Sequence, residues 1–222
     1  MLQSYINEVR RLLRDSKGNF FPLPDPNGDL AGAVNEGRIA AAYDTGCVRQ
    51  LLPIGTPGTQ LILKQEFYPY SAVTVGGSAL VPLDVMDIYV TYSGVRNALN
   101  YMAYSASSRT DWRRLVGYSD IPRVFSVYGQ SVAVSPLPSQ NFPAEWDIIP
   151  QIPTLIDDTT PETIPVPFQI PIPYYAAFKA YLWLQQTAKA KEMFNFYMAQ
   201  TQFAGRRQFQ RRLGLGAPYW NN

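Results

Sequence analysis

The sequence predicts an α+β fold: a small helical bundle, made of two N-terminal helices and a long C-terminal helix, interrupted by a long β-rich, proline-rich insertion. Three observations predict it. Apolar residues recur at helical spacing near both ends of the chain. Short β-prone runs bounded by glycine and proline fill the middle. The 19 prolines and 15 glycines demand more turns than a simple helical bundle has. A chain of 222 residues accommodates one large domain, or a domain with a sizeable insertion. Charged residues make up only 16%, against about 25% in an average domain, while aromatics reach 14%. That balance predicts a protein that hides much of its surface, in a core or against neighbours.

The elements follow in order. Leu2, Tyr5/Ile6, Val9 and Leu12/Leu13 mark a helix over residues 2–15, with arginines on its opposite face. Residues 15–28 contain three prolines, two glycines and two asparagines and form a loop. Asp29 is placed to cap a second helix running to about Asp44. Its small residues Ala31, Gly32, Ala33, Gly37, Ala40, Ala41 and Ala42 allow another helix close, in the plainest case inside the same subunit. From Leu51 the texture is β: Leu61–Phe67, Ala72–Val75, Val85–Tyr92 and Val132–Val134. Asp87 to Tyr92 alternates as a half-buried strand does. Leu99–Met102 fits helix or strand, and Asp111–Leu115 a helical turn with Trp112 as a core or interface anchor. Pro136 and Pro138 end the strand before them.

Ten prolines fall within residues 136–173. Each lacks the donor a sheet ladder needs, so this stretch is expected to be extended and draped over other structure. Ile148, Ile149, Ile152, Leu155, Ile156, Val166, Phe168, Ile170 and Ile172 are too apolar to leave in water, which argues for order. Pro173 suits the first turn of the longest helix. Ala176, Ala180, Trp183, Thr187, Ala190, Phe194 and Tyr197 fall on one face of it, to about Ala204, with a break near Gly205 and a possible continuation over 206–213. The expected division is residues 1–50 with 173–205 as the helical core, 51–172 as the insertion, and 206–222 as a basic, aromatic C-terminal arm.

Chemistry is hard to find in this sequence. There is no histidine, which removes the commonest general base and metal ligand. One cysteine, Cys47, leaves no internal disulfide and makes a zinc site or a Cys–His pair untenable. Asp84 and Asp87 lack a companion base. Asp157-Asp158 beside Thr159 and Thr160 reads as a solvated turn. Gly76-Gly77 precedes no helix start and reads as a turn, not a phosphate cradle. No catalytic, metal-binding or cofactor-binding residues are expected. Arg10, Arg11 and Arg14 argue against a signal peptide, and no run approaches the about 18 apolar residues of a membrane span. The 15 tyrosines and four tryptophans suit either sugar stacking or protein interfaces, and their scatter favours core and subunit contacts.

Charge is distributed unevenly. No acidic residue follows Glu192, whereas Arg206, Arg207, Arg211 and Arg212 do. Three readings are open for that end: a solvated helix terminus, a phosphate contact, or a docking arm with Tyr219 and Trp220 as anchors.

The order of short motifs resembles tailed-phage head-to-tail adaptor (connector) proteins. Ile6-Asn7-Glu8-Val9-Arg10-Arg11-Leu12-Leu13-Arg14-Asp15 looks like the family's opening helix with its Leu-Leu-x-Asp run. Asn35 and Arg38 fit the Asn-x-x-Arg pattern of its second helix. Ile121-Pro122, Phe125 to Gly129 and Ser135-Pro136-Leu137-Pro138 resemble its middle, and Pro173 to Phe178 with Tyr197 its last long helix. The proline-rich stretch and the Tyr-Trp end have no counterpart in that pattern.

The resemblance implies a non-enzymatic virion protein of the neck, assembled in the host cytoplasm. It implies a homo-oligomeric ring of about a dozen copies that binds the portal protein, extends the DNA channel close to the genome, and docks tail or nozzle proteins. Asn35, Arg38, Trp183, Phe194 and Tyr197 would then pack helices or neighbouring subunits, and the arm with Arg206, Arg207, Arg211, Arg212, Tyr219 and Trp220 would reach the portal. The rival readings are another tail component or a carbohydrate-binding β module in a host-recognition device.

Overall fold

A computed structural model describes residues 1–23, 25, 27–75, 78–79, 82–104 and 119–212. Among them, four helices come from the two ends of the chain: α1 (Leu2–Leu13), α2 (Asp29–Thr45), α3 (Ile172–Trp183) and α4 (Thr187–Arg212). They belong to one compact unit, Met1–Val48 together with the chain from Ile152 onward; Arg49–Gln151 form a second. The α+β class predicted from the sequence is the class observed.

In the helical unit, α1 buries Leu2, Tyr5, Ile6, Val9 and Leu13, the expected stripe. Arg10 departs from the expected arginine face. It is buried, donating to Phe21 O at 2.7 Å and Pro22 O at 2.8 Å. Helix α1 ends with Arg14 in the left-handed region (φ 57°), Asp15 N–H reaching back to Arg10 O and Arg14 N–H to Arg11 O. This paired closure satisfies terminal carbonyls that would otherwise be orphaned. The fully buried Asp15 carboxylate then accepts N–H groups from Asn19, Phe20 and Phe21, fixing the loop's return.

Asp29 does not cap α2. Asp25 does, its carboxylate accepting from Leu30 N–H at 3.0 Å and Ala31 N–H at 3.1 Å. The small residues of α2 serve packing inside the subunit. A Cβ at Gly37 would lie 3.0 Å from the Ile172 carbonyl and 3.3 Å from Tyr175 Cβ, so α2 and α3 approach closely there. The single long C-terminal helix expected from Pro173 is instead two. Gln185 takes a left-handed φ of 57°, Gln186 N–H bonds Tyr181 O and Gln185 N–H bonds Leu182 O, the same closure that ends α1. Because the chain reverses there, Trp183 leaves the buried face of Ala176 and Ala180 and stands 48% exposed. Nor does the chain break at Gly205: α4 runs through it to Arg212.

The second unit holds twelve strands among its described residues: β1 (Gln50–Leu52), β2 (Phe67–Pro69), β3 (Thr74–Val75), β4 (Ser78–Ala79), β5 (Pro82–Tyr92), β6 (Val95–Ala98), β7 (Asn100–Tyr101), β8 (Ser119–Asp120), β9 (Val124–Tyr128), β10 (Ser131–Ser135), β11 (Leu137–Pro138) and β12 (Ala144–Pro150). Two four-stranded sheets, β1-β12-β5-β6 and β2-β10-β9-β7, carry the core; β8 pairs with β11 and β3 with β4. Leu52, Ile88, Val90, Trp146 and Ile148 of the first sheet bury together with Tyr68, Phe125, Val132 and Val134 of the second. The opposite face of the first sheet is charged: Arg49 pairs with Asp87 and Asp147, and Arg96 with Glu145. Gly58 is required where it stands. Its φ is +85° and a Cβ would lie 2.2 Å from the Ala72 carbonyl.

Two β expectations change. Leu61–Phe67 is mostly a turn: Leu61 makes one bridge to Phe142, Lys64 adopts φ 59°, and the strand begins at Phe67. The proline-rich stretch is not uniformly extended cover. Residues 144–149 are free of proline, and β12 fills an interior sheet position between β1 and β5. Within Ala72–Val75 only Thr74–Val75 is strand, whereas Leu99–Met102 resolves into β7. The expected turn at Asp111–Leu115, with Trp112, lies outside the described residues, as does Gly76-Gly77.

Candidate protein-interaction surfaces

The Asn-x-x-Arg pair of α2 is the centre of an internal lock. Arg38 is 1% exposed, and its guanidinium forks onto the Glu162 carboxylate, with Nη2 at 2.7 Å and Nε at 3.0 and 3.2 Å. Its Nη1 donates to Pro153 O at 2.7 Å and to Asn35 Oδ1 at 3.1 Å. Asn35 in turn brackets Leu155, donating to its carbonyl at 3.1 Å and accepting from its N–H at 2.9 Å. Tyr5 of α1 donates its hydroxyl to Glu162 at 3.0 Å. Both motif side chains are thus engaged inside the subunit, tying the returning proline-rich chain to α1 and α2. Burial pushes the Glu162 carboxyl up, but hydrogen bonds from Arg38, Ile164 N–H and Tyr5, with the Arg38 charge, outweigh it and hold it below the ordinary glutamate value. Burial and the Glu162 charge raise the Tyr5 phenol.

Of the other predicted packing residues, Trp183 lies on α3 and Phe194 and Tyr197 on α4. Tyr197 is 1% exposed and donates to Asp44 Oδ2 at 2.5 Å. Burial first, then that carboxylate, raise its phenol well above the usual range. Phe194, 38% exposed, stacks on Tyr197 with ring centroids 6.0 Å apart and lies 5.1 Å from Phe178. Phe194 and Tyr197 form one wall of an open groove of about 440 Å³, whose other wall is Ile39, Ala40 and Tyr43 of α2. Glu36 and Asp44 stand at its rim, Glu36 paired with Lys179 at 2.9 Å. Trp183 lies elsewhere, against Phe21 at the far end of α3, 6.2 Å between ring centroids.

Tyr43, Asp44 and Glu162 did not stand out in the sequence, and Asp15 stood in the Leu-Leu-x-Asp run without a role attached to it. For Tyr43 a signal existed: an aromatic at the end of a helix made of small residues. Glu162 carried none, because its partner is 124 positions away. Arg206, Arg207, Arg211 and Arg212 fall in the helical backbone of α4; their side chains, like Tyr219 and Trp220 entirely, lie outside the described residues. Among the described residues no cluster of Cys, Asp and Glu could hold a metal ion, and no helix is long and apolar enough to cross a membrane.

In the β unit, Phe67, Tyr104 and Tyr128 lie together, with ring centroids 4.7 to 6.5 Å apart. Their planes are tilted or edge-on to one another, the geometry of aromatics packing on aromatics, not of parallel faces offered to a sugar.

The helical motifs at both ends and the strand–glycine–strand middle over Phe125–Ser135 stand in the order that the resemblance requires, with Pro173–Phe178 and Tyr197 on two helices in place of one, and the sequence matches the family described as SU10 adaptor protein over residues 2–217. The chain belongs to that adaptor family. As an SU10-type adaptor it is a bacteriophage protein and a structural component of the virion. No curated protein matches it. For the adaptor, the Arg38–Glu162 lock and the Asp15 turn are devices of a rigid body. The groove and the exposed Trp183 end are surfaces that a partner could cover.

Proposed function

We propose that the protein is a head-to-tail adaptor that forms a ring of about a dozen copies in the virion neck, binds the portal protein, extends the DNA channel and docks tail or nozzle proteins. The family match over residues 2–217 carries this reading. Two features support it. The helical unit exposes Tyr43, Trp183, Phe194, Phe196 and Phe203, and large aromatics of this kind anchor protein interfaces. The chain also ends in an arm of four arginines, Tyr219 and Trp220 with no acidic residue after Glu192, which suits an acidic, aromatic-lined partner better than bulk DNA. The protein acts by geometry, presenting docking surfaces to partners that meet around the channel.

Deleting residues 206–222 tests the arm. The truncated protein is expected to stay folded, as thermal unfolding checks, and to lose association with the portal ring. Normal portal binding by the truncated chain would assign that contact to another surface.

A further inference from the structure

The helical unit carries two apolar surfaces of opposite charge character at opposite ends of α3. The groove lies beside Tyr175, near the start of α3, with Tyr43 (53% exposed) and Phe194 on its walls and Glu36 and Asp44 at its rim. Near the end of α3, Leu182 (43%) and Trp183 (48%) are exposed, and Trp183 packs on Phe21, whose neighbours Phe20 (53%) and Leu23 (55%) are also exposed. Basic groups lie beside this second surface, around Tyr181 two positions before Trp183 and on the chain that leads from α1 to Phe20. Lys189 lies 5.5 Å from the Tyr181 ring, the Arg14 charge is felt at the Tyr181 phenol, and Arg14 and Lys17 are both exposed. Glu192 acts on the same phenol in the opposite sense, so the end is basic by majority, as the groove, with Glu36 and Asp44 against Lys179, is acidic by majority.

The eight helical steps from Tyr175 to Trp183 separate the two surfaces by roughly 12 Å along the helix axis. Exposed tryptophan and phenylalanine beside basic groups match an aromatic groove with a carboxylate rim. The groove and the projection are different patches on one subunit. They can pair reciprocally across a two-fold axis or head to tail, and the head-to-tail contact repeats from copy to copy, closing into a ring when the rotation allows.

We propose that the α2/α4 groove of one copy receives the Trp183 end of the next, and that this is the contact that builds the ring. The inference rests on the ring reading above and assigns it a surface. The occupant is a second copy of this chain because the complementary projection, apolar and basic, is present on the chain itself.

Complementation tests it. Tyr43→Glu disables the groove and Trp183→Glu the projection. Phe20→Glu serves as a second projection variant, should loss of the Trp183–Phe21 contact unfold the protein. Thermal unfolding establishes that each remains folded. Light scattering is then measured for each alone, for an equimolar mixture, and for each with the portal ring. The wild type is expected to join the portal in many copies. Each variant alone is expected to lose at least tenfold in self-association and in copies per portal. The mixture is expected to give a one-to-one pair, because one partner keeps its groove and the other its Trp183 end. Variants that assemble as the wild type does, or a mixture that stays monomeric, overturn the proposal while leaving the adaptor reading intact. A wild type that joins neither itself nor the portal overturns the adaptor reading, and this inference with it.

Discussion

Arg38 and Glu162 meet with side chains 1% and 3% exposed, so each is intolerable in the protein without the other. Removing one member of such a buried pair typically costs about 3–5 kcal/mol, because the survivor stays buried and uncompensated. Arg38→Met or Glu162→Gln is therefore expected to lower unfolding stability by about that much in urea titrations. The double change Arg38→Met/Glu162→Leu should cost distinctly less than the two single losses added. The pair also sets a pH dependence. The folded Glu162 carboxyl titrates below its unfolded value of about 4.3. Its stabilisation is thus complete above that pH and disappears as pH falls through the lower folded value. Asp157, held at about 2 by the hydroxyls and N–H groups of Thr159 and Thr160, adds in the same direction at an exposed site. The urea midpoint is expected to fall steeply below about pH 4 in the wild type and less steeply in Glu162→Gln. Equal slopes would mean that the lock contributes nothing to acid sensitivity. None of this was readable beforehand: Asn35 and Arg38 stood out by spacing, but a carboxylate 124 positions away leaves no local pattern.

At the scale of elements, amphipathic spacing located α1 and α2 and the strands containing Val85–Tyr92 and Val132–Val134, because each presents one face to its own core. The failures share a cause. Helix ends made by ordinary residues in the left-handed region carry no glycine to announce them, which is why the turn at Leu184–Gln186 was invisible and one helix was expected where two exist. Asp25 caps α2 from beyond the expected position, a choice decided by loop geometry. Prolines misled in β12, where they bracket the strand and leave its middle free to pair. The Gln185 turn offers a direct check. A side chain at φ 57° is strained where glycine is not, so Gln185→Gly is expected to stabilise the protein by about 0.5–1 kcal/mol. Gln185→Val should destabilise it, and calorimetric midpoints report both. A loss of stability with glycine would show that the Gln185 side chain contributes more than its backbone costs.

For the whole molecule, the absence of histidine and the low charge directed attention to surfaces over reaction centres, and the order of short motifs pointed to the adaptor family that the match over residues 2–217 establishes. The groove was not readable, because it is built from α2 and α4, whose nearest facing residues, Asp44 and Tyr197, are 153 positions apart. Arg38, Asp15 and the left-handed helix ends at Arg14, Gly46 and Gln185 fix the path of the chain within the helical unit. If the proposed arm carries the portal contact, removing residues 206–222 should abolish portal association and leave the rest of the chain folded. The most direct test of the adaptor reading is the mass, by light scattering after gel filtration, of the purified protein mixed with the portal ring of its own phage. One large complex carrying several copies of this chain per portal is expected. Two separate species, portal and unassociated adaptor, would contradict it.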